Sequence, residues 1–111
     1  MNYRIIATHR FEKEIKRLAK KFPSLKSEFS LLLTEIEENP KTGIFIGNSC
    51  YKFRLAIGSK GKGKRNGARV VTHLYLTTET VYLLTIYDKG EKSDIKPKEL
   101  KEMIENLELD D

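Results

Sequence analysis

Seven cations and no carboxylate fall between Cys50 and Arg69, and this window is the part of the sequence best suited to chemistry. The seven are Lys52, Arg54, Lys60, Lys62, Lys64, Arg65 and Arg69. Clustered lysines and arginines bind phosphate oxygens and stabilise the negative charge that develops when a phosphodiester is cleaved. The window therefore indicates a phosphate or nucleic-acid site, although a basic run is also typical of plain solvated surface.

The glycine-rich stretch GSKGKGKRNGAR, Gly58 to Arg69, partly matches a nucleotide-binding loop. The first three fixed positions of G-x-x-x-x-G-K-[ST] are filled, but Arg65 stands where the motif needs a hydroxyl for magnesium. The next residues, Ala68 to Leu76, alternate and are β-branched, which predicts a strand instead of the helix that a phosphate loop opens. The stretch is therefore interpreted as a basic hairpin tip. Its cations, Lys60, Lys62, Lys64 and Arg65, would contact a nucleic-acid backbone.

Other reactive side chains are few. Cys50 is the only cysteine, so a disulfide within the chain and a cysteine-paired zinc site are not expected. A lone strand histidine such as His73, with no obvious acidic partner, is more often a packing residue than an acid–base catalyst. His9 and the pair Glu37 and Glu38 are interpreted as structural or solvated helix residues. No metal or cofactor is expected.

Periodicity predicts two helices before this basic window. Tyr3 to Ala7 reads as a short strand, and Thr8 can cap a helix with apolar residues at helical spacing from Phe11 to Phe22. Pro23 and Ser24 interrupt the pattern, which resumes at Leu25 and ends at Asn39–Pro40. We expect a helical hairpin whose apolar stripes are buried against a sheet.

Three strands are predicted in the second half, over Cys50 to Ile57, Ala68 to Leu76 and Val81 to Lys89, joined as an antiparallel meander. Alternation assigns their side chains to two faces. The face toward the helices is expected to hold Phe53, Leu55, Ile57, Val70, Leu74, Leu76, Tyr82, Leu84 and Ile86. The opposite face is expected to hold Lys52, Arg54, Arg69, Val71, His73, Thr85, Tyr87 and Lys89. The second set lacks a carboxylate, which predicts a basic face for phosphates and stacked bases.

The C-terminal residues predict one more helix, from Pro97 to about residue 107, with Leu100, Met103, Ile104 and Leu107 at helical spacing. A chain of 111 residues suits a single domain of the α+β class, spanning residues 1–111. No apolar run approaches the roughly 20 residues of a membrane span, and the N-terminus does not read as a signal peptide. We therefore expect a cytoplasmic protein without membrane partners.

The predicted element order, β-α-α-β-β-β-α, resembles that of the RelE/ParE superfamily of toxins from type II toxin–antitoxin systems, and the HigB-like RelE toxins in particular. The segments CYKFRL (Cys50 to Leu55), GARVV (Gly67 to Val71) and LLTIYDKGEKSDI (Leu83 to Ile95) carry the resemblance. It implies a metal-independent endoribonuclease, an mRNA interferase, that cuts mRNA in the ribosomal A site and inhibits translation. It also implies three kinds of partner: the ribosome, a cognate helix-turn-helix antitoxin and, only through the antitoxin complex, operator DNA.

The resemblance also implies roles for individual residues. Lys52 and Arg54 match the two basic strand positions of RelE toxins, and Arg69 matches their phosphate-contacting arginine. Lys52 would be the general base or a transition-state clamp. Tyr87 and Lys89 match a Tyr-x-Lys pattern of the HigB-like branch, and Lys92 would add a phosphate contact. This chain departs from the family at Gly90, where an arginine is usual, and at Lys96, where a catalytic tyrosine is usual.

Two other functions are compatible with the same sequence. ParE-like members of the superfamily bind and inhibit DNA gyrase without cleaving nucleic acid. A non-catalytic RNA-binding module would also use a basic sheet face. Loss of toxicity on Lys52→Ala or Arg69→Ala with the fold intact would favour the nuclease, because a protein-directed inhibitor does not depend on single phosphate contacts.

Overall fold

The computed structural model describes residues 2–60 and 66–110, with side chains as far as Leu107. The hairpin cations Lys62, Lys64 and Arg65 lie outside the described residues. The elements run in the order β1 (Arg4–Ala7), α1 (His9–Lys21), α2 (Leu25–Glu38), β2 (Ile44–Gly47), β3 (Cys50–Leu55), β4 (Ala68–Tyr75), β5 (Thr80–Asp88) and α3 (Pro97–Asp110). The α+β class is confirmed, as is the helical hairpin before the three long strands.

The sheet has five strands in the order β1-β5-β4-β3-β2. It is mixed, so the expectation of an antiparallel sheet is wrong at one edge: β1 runs parallel to β5, with Arg4 opposite Thr80. The other edge is β2, a four-residue strand that the sequence pattern did not reveal. Its Ile44 and Phe45 are exposed, and only Ile46 packs against a core cluster, so the strand shows no hydrophobic alternation.

Local signals place the helices where they were predicted. The Thr8 hydroxyl accepts the amide hydrogen of Phe11 at 3.2 Å and so caps α1, while it donates to the Leu83 carbonyl oxygen at 3.0 Å. α1 ends at Lys21, just before Pro23, and α2 ends at Glu38, with Asn39 as its cap before Pro40. The Thr8 cap therefore anchors the start of the hairpin to β5.

Two apolar clusters lie on opposite faces of the sheet. On one face, α1 and α2 cover side chains that include Phe53, Leu55, Val70, Leu83 and Ile86. On the other face, α3 packs Leu100, Met103 and Leu107 against a second group that includes Val71, Tyr82, Leu84 and Tyr87. The face predicted to be open is therefore partly covered by α3, which extends to Asp110 instead of ending near residue 107.

A β-bulge explains the residues whose face was predicted wrongly. Val71 pairs with Thr85 while its neighbour Thr72 pairs with Leu83, so Leu84 is an extra residue on β5. The extra residue reverses the alternation, and Tyr82 and Leu84 lie against α3 instead of the helical hairpin. Leu76 was also predicted in the core, but it is 58% exposed in the turn after β4.

Candidate phosphate-binding site

Three strands bring four of the predicted site residues into two neighbouring cross-strand rows. Arg54 on β3 pairs with Arg69 on β4, which pairs with Tyr87 on β5. Lys52 lies two residues before Arg54 on β3, in the next row on the same face of the sheet, opposite Val71. Side chains directly opposite on adjacent strands lie roughly 5 Å apart at Cβ. The register therefore gathers two arginines, a lysine and a tyrosine, which we call the basic cluster.

Arg69 is the buried cation of the basic cluster, with 6% of its surface exposed. Its Nη1 donates to the Ala68 carbonyl oxygen at 3.1 Å. Burial lowers the pKa of Arg69, and the nearby charge of Arg54 lowers it further, while Tyr87 and Asp94 act in the opposite direction. An arginine stays protonated at neutral pH in spite of such shifts, so Arg69 is a fixed cation with restricted freedom.

Tyr87 presents a buried hydroxyl near the carboxylate of Asp94. The residue is 5% exposed, and its hydroxyl oxygen has no partner within hydrogen-bond distance among the described residues. Burial, followed by the negative charge of Asp94, raises the pKa of Tyr87 to about 12, and the same carboxylate also acts on the hydroxyl as an acceptor at longer range. Tyr87 is a neutral phenol at pH 7, with a proton to donate to a bound group.

Asp94 is a charged residue of this site that sequence reasoning missed. Its Oδ1 lies 3.0 Å from Nζ of Lys52 and accepts the backbone amide of Ile95 at 2.8 Å. The hydrogen bond from Lys52 is the largest cause of the lowered pKa of Asp94. A carboxylate therefore lies beside the basic cluster, which corrects the expectation of an acid-free face. Asp94 follows the last strand, where alternation does not predict positions.

Lys60, the one described cation of the hairpin tip, is turned inward. Its ammonium group contacts the carboxylate of Asp88, which is 2% exposed, and donates to the Asn66 carbonyl oxygen at 2.9 Å. The Lys60 side chain is only 15% exposed. Phosphate binding by Lys60 stays a prediction, and it requires this side chain to leave a partly buried ion pair.

Two of the lysines between β5 and α3, Lys89 and Lys92, also have partners within the chain. Nζ of Lys89 donates to the Ser93 carbonyl oxygen at 2.5 Å, and Lys92 pairs with Glu99. At Gly90, a Cβ atom would lie 3.1 Å from Nζ of Lys60, so the inward lysine takes up space beside this position. Lys96 is exposed. The structure thus places Lys89 and Lys92 near the end of β5 as expected, and their contact with phosphate stays a prediction.

Cys50 and His73 form a buried contact away from the basic cluster. Their Sγ and Nδ1 atoms are 3.5 Å apart, and the residues pair across β3 and β4. Burial raises the pKa of the Cys50 thiol to about 12 and lowers the pKa of His73. A neutral thiol beside a neutral imidazole fits packing, as the sequence indicated.

Two kinds of feature are absent from residues 2–60 and 66–110. This part of the chain contains no group of three or more histidine, cysteine or acidic side chains that could hold a metal ion. None of its helices is long and apolar enough to cross a bilayer.

Solved structures that share this fold include RelE toxins and their complexes. A double arginine-to-alanine mutant of the Escherichia coli toxin RelE in the free state aligns with a TM-score of 0.64 and 18% identity, over 96% of this chain and 99% of that chain. The intact E. coli RelBE toxin–antitoxin complex gives a TM-score of 0.59 and 19% identity, over 78% of this chain and 95% of that chain.

The RelBE2 toxin–antitoxin complex from Mycobacterium tuberculosis gives a TM-score of 0.54 and 12% identity, over 79% of this chain and 92% of that chain. No protein-family model matches the sequence. At these identities the likeness establishes the fold, and the resemblance to RelE toxins is confirmed at that level.

Proposed function

We propose that this chain, which has the fold of the RelE toxins, is the toxin of a type II toxin–antitoxin system and an endoribonuclease that cuts mRNA in the ribosomal A site. The observation that carries the proposal is the basic cluster, with Arg54, Arg69 and Tyr87 in one cross-strand row and Lys52 in the next. A fold alone does not define an activity, so the residues of the cluster must account for the chemistry.

The proposed reaction uses the RNA's own 2′-hydroxyl as the nucleophile. Its oxygen passes its proton to solvent water and attacks the adjacent phosphorus, and the bond from phosphorus to the 5′-oxygen breaks. The products are a 2′,3′-cyclic phosphate and a free 5′-hydroxyl. Catalysis requires stabilisation of the extra charge on the five-coordinate phosphorus and a proton for the leaving oxygen.

The basic cluster has a group for each of these requirements. Arg54 and Arg69 supply planar cations for the phosphate oxygens. Tyr87, a neutral phenol at pH 7, supplies the proton for the 5′-oxygen. Lys52, whose Nζ lies 3.0 Å from Oδ1 of Asp94 in the free protein, supplies a further cation for the transition state.

A groove at the β3 edge of the sheet borders the basic cluster. It has a volume of about 740 Å³ between α2 and β3, and its lining includes Lys52 and Arg54, the apolar residues Leu31 and Ile44, and the carboxylates of Glu28 and Glu35. Because the two acids repel a phosphate, we propose that the groove holds a base and that the phosphate stays with the cations on the α3 face of the sheet.

The proposed partner within the cell is an antitoxin. Two of the structures with this fold are toxin–antitoxin complexes, RelBE from E. coli and RelBE2 from M. tuberculosis. We propose that a cognate antitoxin, of the helix-turn-helix class that the HigB-like resemblance implies, binds this chain and carries the pair to operator DNA. The ribosome and its mRNA are the proposed targets of the free toxin.

Primer extension on a reporter mRNA in a bacterial translation extract tests the nuclease. The wild-type protein, Lys52→Ala and Arg69→Ala are compared with and without ribosomes. Lys16→Ala is the matched control, because it removes a cation from the exposed face of α1, away from the cluster. Circular dichroism establishes that each variant is folded, which matters most for the buried Arg69.

We expect ribosome-dependent cuts from the wild type and from Lys16→Ala, and loss of about a hundredfold in each cluster variant. An intact message at high concentrations of the wild-type protein would rule out the nuclease, and a gyrase supercoiling assay would then test the ParE-like alternative. Retained binding to RNA without cleavage would instead indicate the non-catalytic RNA-binding module.

A further inference from the structure

The carboxylate of Asp94 lies where the basic cluster would be expected to hold an anion. Its Oδ1 is 3.0 Å from Nζ of Lys52, a normal distance for a charge-assisted hydrogen bond. It also acts electrostatically on Arg69 and on Tyr87, the other two inward groups of the cluster. The Asp94 carboxylate thus interacts with Lys52, Arg69 and Tyr87, which the proposed function assigns to the phosphodiester that is cleaved.

The segment that carries Asp94 is held by contacts outside the basic cluster. We call residues 89–96, between β5 and α3, the linker. Glu91 of the linker binds Arg17 of α1 at 2.7 Å and Lys21 at 3.1 Å. Behind Asp94, the linker amide of Ile95 donates to its carboxylate at 2.8 Å. These contacts hold the linker in place and present the Asp94 carboxylate to Lys52.

The contact between Asp94 and Lys52 can be broken so that another anion binds Lys52. The Asp94 side chain is 64% exposed, so water can replace Lys52 as its partner without burying an unpaired charge. The Lys52 side chain is only 23% exposed, and its ammonium group therefore needs another anion or water in the same place. A phosphate oxygen of RNA has the charge and the hydrogen-bonding geometry to take that place.

We propose that Asp94 is an internal competitor of the RNA phosphate: its carboxylate occupies the anion position beside Lys52 in the free protein, and a phosphodiester binds by displacing it. The inference rests on the proposed function, because it assigns the displaced position to the RNA that the cluster is proposed to cleave. Asp94 acts on binding through Lys52, and it lowers the affinity of the free toxin for RNA.

The test compares the binding of a fluorescent, uncleavable 2′-O-methyl RNA oligonucleotide at low salt by wild type, Asp94→Asn and Glu105→Gln. Asparagine keeps an oxygen for the Ile95 amide and removes only the charge. Glu105→Gln is matched in charge, because it removes an exposed carboxylate from α3 outside the linker. We expect Asp94→Asn to bind about three- to tenfold more tightly, and Glu105→Gln to stay within about twofold of the wild type.

Lys52→Ala and the double variant Lys52→Ala with Asp94→Asn distinguish competition for Lys52 from a general charge effect. If Asp94 acts through Lys52, the gain from Asp94→Asn shrinks to less than about twofold when Lys52 is absent. An equal gain in both backgrounds, or unchanged or weaker binding by Asp94→Asn, would overturn the proposal.

The same data separate this proposal from the proposed function. Weaker RNA binding by Lys52→Ala together with unchanged binding by Asp94→Asn would contradict competition by Asp94 and still support the RNA site. Equal binding by wild type and Lys52→Ala would contradict the RNA site itself, and therefore the competition as well.

Discussion

Arg54 and Arg69 lie directly opposite each other on β3 and β4. Like charges in opposed positions of an antiparallel pair destabilise a sheet, and the 6% exposure of Arg69 limits the screening that water provides. The nearby charge of Arg54 is accordingly one cause of the lowered pKa of Arg69. A pair that opposes folding is expected where function outweighs stability.

Replacing Arg54 with glutamine should therefore stabilise the protein while it weakens the activity. Removing the repulsion should raise the free energy of unfolding by about 0.5–1 kcal/mol. Cleavage of the reporter mRNA should fall by about a hundredfold, because one phosphate contact is lost. Urea denaturation and primer extension measure the two effects. A fall in stability of the same size would show that the repulsion is not significant.

Tyr87→Phe, like the Arg54 variant, should weaken cleavage without destabilising the fold. The Tyr87 hydroxyl is buried without a hydrogen-bond partner among the described residues, so its removal should leave stability unchanged or raise it by about 1 kcal/mol. Loss of the proton donor should lower cleavage by about a hundredfold or more. Tyr75→Phe, at a 48% exposed position, is the control.

The same variant tests the ionisation of Tyr87. Its raised pKa predicts that stability falls as pH rises from 10, its ordinary value, to about 12, because the unfolded chain loses this proton first. In an absorbance titration of the five tyrosines, the transition near 12 should disappear in Tyr87→Phe. Its persistence would assign the shifted pKa to another tyrosine.

The ion pair of Lys60 and Asp88 should be important for stability. Asp88 is 2% exposed and also accepts the amide of Gly90 at 3.0 Å. Asp88→Asn leaves a partly buried ammonium group without its counter-ion, which should cost about 3–5 kcal/mol in the free energy of unfolding. Adding Lys60→Met should restore part of this loss. A cost below about 1 kcal/mol would show that Lys60 readily turns outward.

The linker contact of Glu91 should depend on pH. Arg17 and Lys21 lower the pKa of Glu91 from 4.5 to about 2, so its stabilising effect is complete above the unfolded value and is lost as pH falls between these limits. The group is exposed, so the effect should not exceed about 1 kcal/mol at low salt. The difference in unfolding free energy between wild type and Glu91→Gln should vanish in acid. A difference that persists there would point to a contact other than charge.

Local signals in the sequence were sufficient for much of the fold. A hydroxyl at Thr8 begins α1, and prolines at positions 23 and 40 follow the ends of α1 and α2, so both helices were predictable from short-range geometry. Alternation along β3 and β4 was regular, so Arg54 and Arg69 were assigned to one face together with Tyr87, whereas the register that sets Arg54 opposite Arg69 was not predicted. These relationships depend on neighbours in sequence or on one hairpin.

The missed features depend on contacts between distant parts of the chain. The extra residue at Leu84 shifts the faces of β5 without any glycine or proline to mark it. The approach of Asp94 to Lys52 follows from the path of the linker, which is set by Glu91 and by the packing of α3. Neither the bulge nor the linker path has a periodic signature, so a pattern of residue types does not reveal them.

The parallel pairing of β1 with β5 has a consequence for synthesis of the protein. Thr8, just after β1, bonds to the carbonyl oxygen of Leu83, 75 residues further along the chain. At about 5–20 residues per second, the partner of β1 is made roughly 4–15 s after β1 itself. Through that interval the helical hairpin has no completed sheet to cover, and Tyr87 has yet to join Arg69. Each nascent chain therefore lacks a complete basic cluster until its last strand has been translated.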